Sequence, residues 1–319
     1  MTTPKTQPKK ARKPVRTKLQ RNDERLAYAF MLPSILYLVI WVILPIISAL
    51  VLSFTNYDIL KHDIGNLANS GISFVGFKNY SVTLKNPIFQ QAIGNTVYYA
   101  FASVLLTNAL GLCLALVCHS AKHKGFFRVA YYIPCITSAA TLVIIFDALF
   151  RPGTPLTNFL SFFGVPQVQW RITSGYTMPL AIIMSVWSGA GYSMLIYLAG
   201  LQEIPQSVYE AAMLDSAPRY KTFFHITLPL LNNKTFFLLA TGFIGSLQVY
   251  DTMQMMADFG DFALTGGIGG SLWTAVYYIY YVGWTQNKMG RASAISFLLF
   301  IIIMVFTFVQ RKMFKDQTY

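Results

Sequence analysis

Long apolar runs separated by short polar stretches dominate the chain from Leu26 onward. About 20 mostly apolar residues can cross a bilayer as a helix. Six segments of that kind occur, at about 26–54, 92–118, 129–150, 178–201, 235–256 and 291–309. Pro33 and Pro45 predict breaks in the first. A seventh apolar stretch, 272–282, has eleven residues. It is too short to cross and reads as an interfacial or re-entrant piece. The pattern predicts an all-α membrane protein with six transmembrane helices.

Composition supports this. Of 319 residues, 55% are hydrophobic and 12% charged, against about 25% charged in a soluble domain. A water-facing fold could not hide so much apolar surface, which excludes an ordinary cytoplasmic enzyme and a secreted disulfide scaffold. Cys113, Cys118 and Cys135 lie in or beside apolar runs without zinc-ligand spacing and read as small buried hydrophobes. His62, His119, His123 and His225 have no metal-ligand spacing either.

The net charge of +13 is large for so few ions, and it is localised. Nine Lys/Arg against Asp23 and Glu24 precede the first run. Residues 1–25 read as a basic, disordered cytoplasmic tail able to lie on anionic headgroups, and no nucleic-acid-binding fold accompanies it. The basic region and the apolar run after it are both too long for a signal peptide. With the N-terminus inside, inner segments carry 18 cations. Outer segments carry seven: Lys61, Lys78, Lys85, Arg151, Arg171, Lys288 and Arg291. This asymmetry predicts that both termini are cytoplasmic, with a six-span domain at 26–314 and a short tail at 315–319.

The inner segment 202–233 is long and helically patterned, QEIPQSVYEAAMLDSAPRYKTFFHITLPLLNN. Pro205 suits the start of one helix, and Pro218 opens a second with Ser216 as its cap. Pro229 is expected to end it. The outcome is a short helix–turn–helix that fits a partner's groove or lies on lipid. Its residues resemble the EAA motif of ABC-importer permease subunits: Glu210-Ala211-Ala212, Asp215, Ala217, Phe223, Ile226 and Leu228-Pro229. Ser216 stands where that motif has Gly, and Asn233 where Pro is common. If the turn is left-handed, Ser216 costs about 1 kcal/mol. SFTNYD (53–58), FVGFKNY (74–80), NPIFQQAIGNT (86–96), the 127–150 segment, GSLQVYD (245–251), LTGG (264–267) and AVYYIYYVGW (275–284) resemble the carbohydrate-uptake branch. Coverage runs from about 26 to 314.

The resemblance implies a type I ABC-importer transmembrane domain in a bacterial inner membrane. It implies a second permease subunit, two ATPase subunits and an extracellular sugar-binding protein as partners. The 202–233 loop would dock in the ATPase through Glu210, Ala211, Ala212, Asp215, Ala217, Phe223, Leu228 and Pro229. The family's substrate-lining positions fall near Ser185, Gly189, Tyr192, Gly245, Ser246 and Val249, with Tyr192 and Ser246 the best placed. The Gly and Ser among these also suit plain helix packing.

The chain lacks G-x-x-x-x-G-K-[ST], so ATP and Mg are expected on a partner and no cofactor on this chain. A self-contained secondary transporter or channel would need an internal repeat and a row of intramembrane ions. An intramembrane enzyme would need a nucleophile–base or metal constellation. Asp147 can pair with Arg151 four residues on. Asp251 has no sequence-local partner and is a candidate for a cavity or gate.

Overall fold

The structure is a computed structural model that describes residues 18–62, 71–121, 124–258 and 266–314. Residues 1–17, the 315–319 tail, Lys122, His123 and the first half of the LTGG segment lie outside them. The chain divides into two units, one ending at Val51 and one beginning at Leu52.

The first unit holds α1 (Lys18–Leu38), a π-type turn at Val39–Ile43 and the start of α2 (Leu44–Ser53). Helix therefore begins at Lys18, ahead of the boundary expected at residue 26. Neither proline breaks the span. Pro33 sits inside α1. Pro45 follows the π-type turn, whose longer loop relieves the carbonyl that the proline ring would strike. The apolar stretch Leu26–Ser53 is 28 residues long.

In the second unit α3 (Lys78–Leu84) precedes α4 (Pro87–Ser120). Asn86 caps α4, its side chain accepting from the Ile88 and Phe89 N–H groups, and Pro87 takes the first helical position. The expected third span is instead a bent pair, α5 (Lys124–Tyr132) and α6 (Ala139–Leu149). Gly125–Ile136 and Ala139–Leu149 meet at 100°. Pro134 drives a 3₁₀ turn and Ser138 starts a new helix by capping Thr141 N–H.

After α7 (Pro155–Ser161) comes α8 (Thr177–Glu203), the partner of α4 at the centre of the fold. Small residues let these two approach: a Cβ on Gly111 would lie 2.5 Å from Ser193 Cβ. The 202–233 segment forms α9 (Gln206–Leu214), α10 (Arg219–Thr222) and α11 (Leu228–Leu230).

The fifth expected span is also interrupted: α12 (Asn232–Leu247) ends and α13 (Asp251–Asp258) begins after three residues. The Thr274 hydroxyl donates to Val249 O at 3.0 Å and occupies one carbonyl freed by the break. Within 272–282, α14 (Ala275–Tyr280) is short and deeply packed, with Tyr277 and Tyr278 buried. Asn95 Nδ2 donates to Gly270 O and Trp273 O, and Ala275 N–H donates to Thr96 Oγ1, so α4 holds this piece in place. Last comes α15 (Met289–Phe314). Among the described residues four helices are long and apolar enough to cross a membrane, five if the bent pair counts as one span.

Candidate functional site

The 202–233 segment folds as a helical hairpin. Tyr209 OH lies 3.2 Å from Thr227 Oγ1 and ties α9 to the returning strand of helix. Ala212 is buried and Ala217, Phe223 and Leu228 are half-buried, so these four hold the hairpin together. Glu210, Ala211, Asp215 and Pro229 are exposed. Met213, Leu214, Tyr220 and Phe224 are also exposed, with Leu214 at 87%. Met213 and Phe224 belong to the apolar patterning of the two helices, whereas Leu214 and Tyr220 were not foreseen, although exposed apolar residues on a short polar loop are the signal of a docking face.

Two local expectations need correction. Ser216 does not cap the second helix: Pro218 holds the N-cap position, and Ser216 sits in the left-handed region at φ 52°. Asp215, Ser216 and Ala217 N–H groups donate to Ala211, Met213 and Ala212 carbonyls, closing the end of α9. Pro229 does not end its helix either. A π-type turn at Phe223–Thr227 precedes it, as at Pro45, and the chain stays helical to Leu230. At the hairpin's base Lys234 Nζ meets Glu203 Oε1 at 2.9 Å. Gly200 packs there too, where a Cβ would come within 2.8 Å of Leu231 and Lys234.

Between α4, α8 and α12 lies a cavity of about 340 Å³. Helix α8 contributes Ser185, Gly189, Tyr192 and Ser193; α12 contributes Leu238, Thr241, Gly242 and Ser246. Helix α4 contributes Ser103, Val104, Thr107 and Asn108, and Cys135 closes one side. Four expected lining residues, Ser185, Gly189, Tyr192 and Ser246, thus come together. Gly245 is exposed outside the cavity, and Val249 packs on the core beyond the end of α12. The contribution of α4 was not foreseen, though Asn108 amid apolar neighbours was a usable signal.

The lining is polar without being ionic. Ser193 Oγ donates to Asn108 Oδ1 at 2.9 Å, and Asn108 Nδ2 donates to Val104 O at 2.8 Å. Ser103 Oγ lies 3.4 Å from Ser246 Oγ. Among the described residues no Asp, Glu, Lys, Arg or His lines the space. Hydroxyls and an amide can both donate and accept, which matches a neutral polyhydroxy ligand, and Tyr192 offers it an aromatic face.

The acids sit elsewhere. Asp147 binds Arg151 at 3.0 Å, as expected, but also Arg171 at 2.8 Å. Asp251 lies exposed in the first turn of α13, where a helix N-terminus favours an anion; it does not line the cavity. Of the cysteines only Cys118 is buried, whereas Cys113 is exposed and Cys135 half-buried. Among the described residues no three His, Cys, Asp or Glu side chains gather as a metal site.

A family model described as the binding-protein-dependent transport system inner membrane component matches residues 110–316. The arabinooligosaccharides transport system permease protein of Bacillus subtilis is 32% identical over 90% of this chain and 87% of its own. A probable ABC transporter permease protein of the same organism is 30% identical over 91% and 96%. Among solved structures, a bacterial ABC transporter involved in import of the acidic polysaccharide alginate superposes with a TM-score of 0.72. That match is 21% identical, covers 95% of this chain and 100% of the other, and shows the fold.

Proposed function

Because the chain belongs to the family of binding-protein-dependent transport system inner membrane components, we propose that it passes a sugar or oligosaccharide through the cavity between α4, α8 and α12. The observation that carries this reading is the lining itself: hydroxyls, one amide and a tyrosine set among apolar and small residues, with no ion among the described residues. In its family setting the chain is a transport subunit of an ABC importer. An extracellular binding protein delivers the sugar, a second permease subunit completes the path, and two separate ATPase subunits bind ATP and Mg.

The exposed face of the hairpin is the coupling surface. Glu210, Ala211 and Asp215 meet the ATPase, while Ala212, Ala217, Phe223, Leu228 and Pro229 set the hairpin's shape. The Glu203–Lys234 pair and the tight packing at Gly200 support a stiff link from the hairpin to α8 and α12. ATPase closure moves the hairpin, and the two cavity helices move with it. The cation distribution supports cytoplasmic termini in a bacterial inner membrane.

In proteoliposomes holding the full complex, Tyr192→Ala should lower sugar uptake about tenfold, the loss of one contact worth about 1.4 kcal/mol. Gly189→Leu should do the same by filling the space, since even a Cβ there lies 3.0 Å from Thr107 Cγ2. Normal uptake by both variants would place the path elsewhere.

A further inference from the structure

The seven cations expected on the outer side are not scattered. Arg151 and Arg171 are taken by Asp147. Four others, Lys61, Lys78, Lys288 and Arg291, line one cavity of about 470 Å³. Among the described residues its one acid is Asp58, 4.0 Å from Lys61 Nζ. Lys78 and Lys288 are exposed and make no ion pair among the described residues. Gathering four like charges around one space is unfavourable unless an anion sits among them.

The frame beneath these side chains is rigid. Asn79 Nδ2 donates to Ser53 O and Thr55 O, both at 2.8 Å. Gly290 N–H donates to Tyr57 O, and Ile59 N–H to Asn287 O, each at 3.0 Å. A Cβ on Gly290 would lie 2.3 Å from Thr55 O, so the loop and the start of α15 are in direct backbone contact. Arg291 Nη2 reaches Tyr278 OH at 3.4 Å, while its Nε is buried with no hydrogen-bond partner.

Position identifies the source of the anion. Lys288 and Arg291 flank the first residue of the last spanning helix, and Thr55–Asp58 follow the end of α2. Helix ends lie at headgroup depth, where exposed aromatics collect. Phe77, beside Lys78, is 73% exposed, and Trp284, one turn before Lys288, is 62% exposed.

We propose that this cavity seats the phosphate of an anionic phospholipid headgroup, held by Lys78, Lys288 and Arg291. Arg291 supplies a planar donor fork suited to phosphate oxygens, and the lysines supply point charges. The site is independent of the sugar path.

Native mass spectrometry of the full complex, released from micelles containing phosphatidylglycerol, tests this. The wild type should retain one more phosphatidylglycerol per chain than Lys78→Gln/Lys288→Gln, whose remaining affinity should fall at least tenfold. Both lysines are exposed and make no side-chain hydrogen bond among the described residues, so the variant should elute as the wild type does. Arg291→Gln should give the same loss independently, and Lys221→Gln, on the cytoplasmic hairpin, should give none. Phosphatidylcholine should not be retained, nor millimolar sodium phosphate displace the lipid. Equal retention by wild type and both cavity variants overturns the proposal. Displacement by sodium phosphate would make this a soluble-oxyanion site instead. Unchanged lipid retention with weakened capture of the extracellular binding protein would make it a protein contact.

Discussion

Ser216 carries a cost that its neighbours impose. The three N–H bonds closing α9 require a residue in the left-handed region, and Ser216 adopts φ 52° there. Ser216→Gly should therefore raise stability by about 1 kcal/mol, read as a higher thermal midpoint of the purified complex. An unchanged or lower midpoint would mean that the strain is absent. Glycine packing makes an opposite forecast. A Cβ on Gly191 would lie 2.1 Å from Tyr131 O, a backbone atom with nowhere to go, whereas one on Gly245 meets nothing within 4 Å. Gly191→Ala should lower the midpoint and Gly245→Ala should not, a contrast that one melting series can check. The strain at 216 was legible from the motif, because an L-residue standing in a glycine slot has a known cost. The contact at 191 was not, since it depends on how α5 crosses α8.

Several elements departed from the apolar pattern, each for a physical reason. The third span is bent because Pro134 and Ser138 supply a stop and a new cap within one apolar run. The fifth breaks at Gln248–Tyr250, where Thr274 from a distant segment accommodates a freed carbonyl. Pro45 and Pro229 leave their helices intact because π-type turns precede them. Hydropathy counts apolar residues and cannot register hydrogen bonds that come from elsewhere in the chain. The Asp147 node shows the same limit: Arg151 was readable at four residues' distance, whereas Arg171 arrives through the fold. Both ends of the Asp147–Arg171 pair are about nine-tenths buried, at 11% and 10% side-chain exposure. Arg171→Met should destabilise by about 3–5 kcal/mol, because it leaves a buried carboxylate short of a partner. Asp147→Leu/Arg171→Met should recover much of that loss in a double-mutant cycle of thermal midpoints. Additive losses would show that the pair is uncoupled.

At the scale of the whole molecule, the cavity and the hairpin are joined through α8 and α12, which carry cavity-lining residues and, at the hairpin's base, the Glu203–Lys234 pair. Glu210→Lys should uncouple the machine: ATP hydrolysis by the reconstituted complex continues while uptake falls at least tenfold, because the exposed carboxylate becomes a repelling charge. Transport at the normal rate would remove Glu210 from the coupling surface. The amino-acid order alone determined that this chain is a helical membrane protein, and its spaced motif pointed to the family. Apolar run length and charge placement are properties read along the chain, and the motif keeps its spacing on one hairpin. Tertiary structure alone decided that α4 shares the cavity, that Gly245 and Val249 fall outside it, and that Lys61, Lys78, Lys288 and Arg291 meet in one space. Those facts depend on which helix faces cross, and crossing is set by contacts between residues far apart in sequence, such as Gly111 with Ser193.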